Sequence, residues 1–293
     1  MTAPARLPAA APATAHAATT AHRANAAFAR LLETRTGQRL AADRAWRMDT
    51  AIRPLLATLG LSHADELAAR LADTRDALLE ERVVDALLNQ ETSFFRDAGG
   101  IEAAVEAVRL VAGTRRPRIW SAACATGQEP LSLAMLFAEA GGPMSEITAT
   151  DVSAGAIARA RTGVYSQFEV QRGLPIRRLM RWFTGEGDRW TAATQLTDAI
   201  AWYRHNLVAD AMPGGGFDMI LCRNVLFYLA PDIREQVLAR LARALRPDGL
   251  LLLGAGETVI GQSDLLCPSN RARGFYERVE RAAAVAPRVY TRA

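Results

Sequence analysis

The sequence predicts an α/β domain built on a parallel sheet and preceded by a small all-helical domain. Three observations carry that expectation. From Asn25 to about Leu88, large apolar residues recur at spacings of three and four, the period of helices with one buried face. From Pro117 onward, short apolar strands alternate with helices across brief turns, which implies a parallel sheet covered on both faces. At the first strand-to-helix junction, Ser121 to Gly127 is a run of small residues through which a ligand can approach the backbone.

Residues 1–22 are mostly Ala, Pro and Thr, with too little large apolar surface to fold, so a disordered tail is expected there. A helical domain over 23–92 follows. Phe28, Leu31 and Leu32 open it, Leu55, Leu56 and Leu59 run to a stop at Gly60, and Leu67, Leu71, Leu78, Leu79, Val83, Leu87 and Leu88 continue the pattern. Ser62 suits a helix cap, and Asp65 an acidic first-turn position. The second domain takes residues 93–293. Its first strand ends at Ile119-Trp120 and leads into a helix over Pro130–Ala140. A second strand, Ile147–Thr150, ends at Asp151 and precedes a helix over Ala154–Arg161. Phe217–Cys222, Asp232–Leu245 and Leu250–Leu253 read as strand, helix and strand. Trp190–Leu196 and Ala199–Tyr203 are two strand-like pieces around Thr197-Asp198, which predicts an antiparallel insert over about 188–204.

The net charge of +4 comes from 35 basic residues, every one an arginine, scattered among 31 acidic ones. A nucleic-acid partner would want clustered positive charge with interleaved aromatics, and none is expected. No apolar run approaches the ~18 residues of a membrane span, so direct membrane insertion is not expected either. Cys124, Cys222 and Cys267 show neither disulfide nor zinc spacing; a reducing cytoplasm and no metal are the expectation.

The Ser121–Gly127 turn lacks the G-x-G-x-x-G fingerprint, retaining only Gly127, and close helix packing explains it as readily as a ligand does. Asp151, at the end of the next strand, is where an acidic residue holds ribose hydroxyls; it could equally cap the following helix. Together they point to a nucleoside cofactor without separating a dinucleotide from a sulfonium. Glu129 separates them. A carboxylate beside the loop suits a ligand bearing positive charge and would repel a pyrophosphate, although a first-turn helix acid is its ordinary alternative.

Four stretches then carry a resemblance. Gln90-Glu-Thr-Ser-Phe-Phe-Arg-Asp97, Trp120-Ser-Ala-Ala-Cys-Ala-Thr-Gly-Gln-Glu-Pro130, Thr150-Asp-Val-Ser153 and Cys222-Arg-Asn-Val-Leu-Phe-Tyr-Leu229 closely resemble the CheR family of chemotaxis receptor methyltransferases. Arg159–Tyr165, His205–Leu207, Arg246–Gly249, Gly256–Thr258 and Phe275-Tyr276 agree in order and spacing, so the likeness spans about residues 25–280. It implies a Rossmann-like class I methyltransferase sheet and S-adenosylmethionine as methyl donor, leaving S-adenosylhomocysteine as product. It implies that Gln90, Thr92, Arg96, Ala123, Gly127, Glu129, Asp151, Asn206, Leu207, Arg223 and Asn224 line the cofactor site. Arg96 and Tyr228 would lie nearest the transferred methyl group, and methyl-accepting chemotaxis receptor cytoplasmic helices would be the partners of a monomeric enzyme. Gln90 departs from the family's usual asparagine, which moves its amide by about a bond length.

The implied nucleophile, a glutamate carboxylate with a reference pKa of ≈ 4.3, is ionised at neutral pH and needs neither base nor metal. Arg96 can hold a carboxylate in its planar fork, and the Tyr228 hydroxyl can add one orienting bond. At least one of Phe94 and Phe95 reads as packing between the two domains, Cys124 and Cys222 read as buried fillers, and His205 as a neighbour of Asn206 rather than an acid–base group. Arg44, Arg47 and Arg53, on one predicted helix, are candidates to dock acidic receptor helices; a solvated face is the alternative. Two other functions stay open from sequence: a methyltransferase for a small molecule or RNA, and a cofactor-binding module without catalysis.

Overall fold

The computed structural model describes residues 13–39, 45–74, 76–141 and 145–279, with side chains described from residue 23 onward apart from 45 and 46. The chain divides into two compact units, Met1–Asn89 and Gln90–Ala293. The boundary lies ahead of Gln90 rather than after Thr92, because Gln90 already bonds within the second unit (below).

The first unit contains α1 (Ala13–Thr36), α2 (Ala45–Leu59), α3 (Ala64–Thr74) and α4 (Ala77–Leu87). Helix α1 begins inside the stretch expected to be a disordered tail; alanine's high helix propensity is a signal that apolar periodicity does not detect. Phe28, Leu32, Ile52, Leu67, Leu79, Val83 and Leu87 form the core, at the helical spacings read above. Asp76 caps α4 by accepting the N–H groups of Leu78 and Leu79 at 3.0 and 3.1 Å. Helix α3 starts at Ala64 with Asp65 in its first turn. Ser62 lies ahead of the position that would cap it, and its N–H donates instead to Glu66 at 3.4 Å.

The second unit runs α5 (Ala98–Ala112), β1 (Arg118–Ala122), α6 (Gln128–Ala140), β2 (Glu146–Asp151), α7 (Ala154–Thr162), β3 (Val164–Ser166), α8 (Gln167–Gln171) and α9 (Ile176–Trp182). It continues with β4 (Phe183–Glu186), β5 (Arg189–Ala192), α10 (Thr194–Thr197), β6 (Ile200–Arg204), β7 (Phe217–Cys222), α11 (Pro231–Ala244), β8 (Leu245–Leu253), β9 (Leu266–Pro268) and β10 (Tyr276–Arg278). Seven strands form one sheet in the order β6-β2-β1-β7-β8-β10-β9. Strand β10 is antiparallel to both its neighbours, and the other pairings are parallel. Alternate residues of the central strands feed two cores. Ile119, Met219, Leu221, Leu250 and Leu252 pack with α5 and α6 on one face. Trp120, Ile220, Cys222, Leu251 and Leu253 pack with α11 on the other. Every residue of β7 is buried, which is why it reads as an unbroken apolar run rather than an alternating one.

The insert differs from its prediction. The antiparallel sheet is β3-β5-β4, over residues 164–192, with its hairpin turn at Gly187-Asp188. Ile200–Arg204 is not its partner strand but joins the main sheet beside β2, in parallel. Thr194–Thr197 is a helical turn. Ile200 and Trp202 are buried while Ala201 and Tyr203 are exposed. That alternation is compatible with either sheet, and a parallel edge partner far away in sequence leaves no local trace.

The chain crosses from β1 to β2 and β6 on one side, then returns to β7 on the other. The order therefore reverses between β1 and β7, and open α/β sheets of this kind bind ligands outside the carboxyl ends of the strands at such a point. The opposite end is fastened for stability. Asp218, fully buried at the start of β7, accepts the Arg115 guanidinium at 3.0 Å and the Arg118 N–H at 2.9 Å. Asp218→Ala leaves both donors without their acceptor and should cost about 2–4 kcal/mol of unfolding free energy. Urea titration followed by circular dichroism measures this, and an unmoved midpoint would contradict it.

Candidate active site

The loops that follow β1, β2, β6 and β7 meet residues 90–97 at the carboxyl ends of those strands. The first is the loop from β1 into α6. The Cys124 N–H donates to the Thr150 carbonyl at 2.9 Å, and the Ala125 N–H to Asp151 Oδ2 at 2.8 Å. Gly127 precedes α6 with φ +93°, and a Cβ there would lie 2.9 Å from Ala160 Cβ and 3.0 Å from the Trp202 ring. Only glycine fits that close approach. Tyr165, which sequence reasoning passed over, props the loop from outside: its buried hydroxyl donates to the Thr126 carbonyl at 2.8 Å.

The second segment follows β2. Asp151 is buried, and its other oxygen, Oδ1, accepts the Ser153 N–H at 2.9 Å. Helix α7 is capped by Ser153, whose hydroxyl accepts the Ala156 N–H at 3.0 Å, so Asp151 is not the helix cap. A carboxylate presents about four lone-pair sites, the acceptor chemistry that ribose hydroxyls take. Gln90 reaches this edge, with Nε2 donating to Ser153 Oγ at 3.2 Å. The segment after β6 joins here as well, because the His205 N–H donates to the Asp151 carbonyl at 2.8 Å. Asn206 is buried, its amide oxygen accepting the Val208 N–H at 2.9 Å, and Leu207 is buried beside it. His205 packs edge-on against Trp120 with ring centroids 5.7 Å apart, and burial pulls its pKa below the usual imidazole value. The ring is thereby kept neutral at physiological pH.

The third segment is residues 90–97, and the fourth follows β7. Arg223 joins them. Its side chain, 3% exposed, donates to Glu129 Oε2 at 3.0 Å and to Asp97 Oδ2 at 2.7 Å. It also donates to the Arg96 carbonyl at 2.9 Å. Glu129 Oε1 accepts the Ser121 hydroxyl at 2.8 Å. The carboxylate read as a lone attractor of positive charge is therefore half of an ion pair. Arg96 itself is half-buried, bonded through Nη1 to the Glu91 carbonyl at 3.3 Å, and no carboxylate among the described residues pairs with it. Thr92 is half-buried in the same segment. Phe94 and Phe95 are both buried and belong to the second unit. Phe94 meets the Tyr165 and Phe183 rings edge-on at 5.0 and 5.6 Å, and Phe95 lies under the Arg178 guanidinium at 4.5 Å. Tyr228 is half-buried in a short 3-10 turn, Leu226–Tyr228, its ring 4.3 Å from that of Phe227.

Backbone strain marks the same place. Among the described residues, Phe95, Asp97, Ala123, Ala125 and Asn224 are the non-glycine positions with positive φ, from 48° to 60°. All five lie in these loops, two of them flanking Arg96. Each such residue costs of order 1–3 kcal/mol and persists only where its surroundings impose it, a pattern found at ligand sites. Burial, reinforced by the nearby carboxylates, pushes the Cys124 and Cys222 thiols well above their ordinary range, which makes both inert as nucleophiles.

The sequence-predicted residues Gln90, Thr92, Arg96, Ala123, Gly127, Glu129, Asp151, Asn206, Leu207, Arg223, Asn224 and Tyr228 thus fall on these segments. Of the arginines expected to dock a partner, Arg47 and Arg53 are exposed on α2 of the first unit, and Arg44 lies outside the described residues. A missed residue is Glu257, whose carboxylate accepts the N–H groups of Asn224, Val225 and Leu226. Its only sequence sign was an acidic residue in Gly256-Glu-Thr258, just past the last predicted strand.

The donor set fits an S-adenosylmethionine molecule. Asp151 offers acceptors to a ribose, Glu129 offers a carboxylate to an ammonium, and Arg223 retains a buried Nε with no hydrogen-bond partner among the described residues. With this sheet order, the molecule is a class I S-adenosylmethionine-dependent methyltransferase. Residues 90–274 match the family model described as "CheR methyltransferase, SAM binding domain". A "Chemotaxis protein methyltransferase" of Vibrio anguillarum is 35% identical over 246 residues, covering 81% of this chain and 90% of the relative. "Chemotaxis protein methyltransferase 1" of Pseudomonas aeruginosa is 34% identical over 244 residues, covering 79% and 89%. The chain belongs to the CheR methyltransferase family.

Asp151→Ala removes the acceptor for Ala125 N–H and Ser153 N–H together with any ribose contact. Calorimetric titration should show S-adenosylhomocysteine bound about 10- to 100-fold more weakly, the equivalent of 1.4–2.8 kcal/mol. Unaltered affinity would remove Asp151 from the site.

Proposed function

We propose that this enzyme methylates glutamate side chains on the cytoplasmic helices of methyl-accepting chemotaxis receptors, giving glutamyl methyl esters, and that it does so as a cytoplasmic monomer. The observation that carries the reading is Arg96. It is held between two strained residues with its carbonyl clamped by Arg223, yet it has no acid partner of its own among the described residues. A partly desolvated guanidinium in that setting suits an incoming carboxylate. Its relatives in Vibrio anguillarum and Pseudomonas aeruginosa, named as chemotaxis protein methyltransferases, support the pathway.

When bound, S-adenosylmethionine supplies a methyl group on a sulfonium, already activated for transfer. Asp151 would hold its ribose. Glu129 and Arg223, a matched anion and cation, would take its ammonium and carboxylate ends. Gln90, Thr92, Ala123, Gly127, Asn206, Leu207 and Asn224 would complete the pocket. Arg96 orients the substrate carboxylate and Tyr228 adds a second bond, so that one oxygen faces the methyl group in line. Neither residue needs to move a proton, since the substrate arrives ionised. The neutral His205 and the raised thiols of Cys124 and Cys222 take no part.

Transfer of radiolabelled methyl groups to a receptor fragment, followed by mild alkali, tests the product: an ester releases volatile methanol, whereas N-methyl or ribose-methyl products do not. Arg96→Ala should lower kcat by about 100-fold, roughly 2.7 kcal/mol of barrier, and Tyr228→Phe by about tenfold. The rate should rise as substrate glutamates ionise near pH ≈ 4.3 and stay level from about pH 6 to 8. A further rise in that window would reveal a general base and contradict the mechanism.

Arg47 and Arg53, exposed on α2, are proposed with Arg44 to receive acidic receptor helices. Reversing all three to glutamate should weaken receptor methylation at least about tenfold, the loss of roughly 1.4 kcal/mol of attraction, while S-adenosylhomocysteine affinity stays within twofold. Unchanged methylation would reject the role.

A further inference from the structure

The segment carrying Tyr228 has an irregular backbone, and two charged side chains on either side of it hold that backbone. At its start, Asn224 has φ 60° and Val225 follows with φ −127° and ψ −34°. That sequence of conformations turns successive N–H groups toward one point, the concavity known as an anion nest. The anion is Glu257. Its Oε2 accepts the Asn224 N–H at 2.8 Å and the Gly254 N–H at 2.9 Å, and its Oε1 accepts those of Val225 and Leu226 at 2.9 and 2.7 Å. There is no slack at this joint: a Cβ on Gly254 would lie 2.9 Å from both Asn224 N and Glu257 Oε2. At the other end a cation does the converse. Arg234, on α11, donates Nε to the Leu226 carbonyl at 2.9 Å and Nη2 to the Leu229 carbonyl at 3.1 Å. Its Nη1 donates to Gln262 Oε1 at 3.0 Å.

The 3-10 turn bearing Tyr228 is built on these held residues, since Tyr228 N–H donates to the Val225 carbonyl at 3.1 Å. The nest is filled by the chain's own carboxylate, so it is not a seat for the cofactor's. We infer that Glu257 and Arg234 are positioning residues that form a two-ended backbone clamp aiming Tyr228, and that they set the rate of methyl transfer without touching substrate or cofactor. This rests on the proposed role of Tyr228 in transfer to receptor glutamates.

Glu257→Gln preserves size but turns an amide NH₂ toward N–H donors, and Arg234→Lys keeps the charge but loses the fork. For each variant the measurements are kcat and KM with a receptor fragment, S-adenosylhomocysteine affinity by calorimetry, and amide hydrogen exchange at 224–226. Because mis-aiming the hydroxyl can cost no more than removing it, kcat should fall by about 3- to 10-fold, at most as far as in Tyr228→Phe. Receptor KM and cofactor affinity should stay within about threefold, and exchange at 224–226 should accelerate at least about tenfold. In a Tyr228→Phe background the same changes should lower kcat by no more than about twofold further, since coupled residues are not additive. An unchanged kcat, or a loss as large without the Tyr228 hydroxyl as with it, would overturn the clamp. If Glu257→Gln does not fold, Arg234→Lys decides by the same criteria. If the wild-type chain methylates no receptor, the substrate reading fails. The clamp is then judged by exchange alone: acceleration confined to 224–226 supports it, and none overturns it.

Discussion

The Arg223 guanidinium is the contact on which the site depends. It leaves the carboxyl end of β7 and reaches two other segments at once: Glu129 at the start of α6, and the Arg96 carbonyl with the Asp97 carboxylate. Three stretches far apart in sequence are thereby brought to one buried cation. Burying a charge on this scale is costly unless partners surround it, and breaking such a group by removing one member costs more than the pair contributes. Arg223 Nε has no hydrogen-bond partner among the described residues, and a ligand carboxylate could accept from it.

The rest of the sheet serves that arrangement in a divided way. Its amino-terminal end is closed by Asp218 and its two donors, a purely structural staple. Its carboxyl end holds the strained loops, and strain of several kcal/mol in total has to be offset by packing elsewhere. Two fully apolar cores, one on each face of β1, β7 and β8, do so. In the loop from β1 into α6 the positive-φ positions carry small residues, Ala123, Ala125 and Gly127, the last because Ala160 and Trp202 leave no room for a Cβ.

Much of this was legible in the sequence, for reasons particular residues make plain. Strand β7 announced itself as a continuous apolar run, and the first unit's core followed from spacings of three and four. Asp151 could be placed because it ends a strand in an alternating pattern. What stayed hidden depended on partners remote in sequence. Ile200–Arg204 looked like half of a hairpin because period-two burial does not name the neighbouring strand. Glu129 looked like a free charge because Arg223 lies far along the chain. Glu257 and Tyr165 act through backbone groups, which leave no residue-type pattern on the segment they hold. The N-terminal part of α1 was missed because alanine favours helix without creating an apolar stripe.

A crystal structure of the chain with S-adenosylhomocysteine tests the central claim most directly. The account predicts the ribose on Asp151, the amino-acid end between Glu129 and Arg223 with Nε now bonded, and the sulfur facing Arg96 and Tyr228. A ligand seated on another edge of the sheet, or an Arg223 Nε still without a partner beside bound ligand, would contradict it.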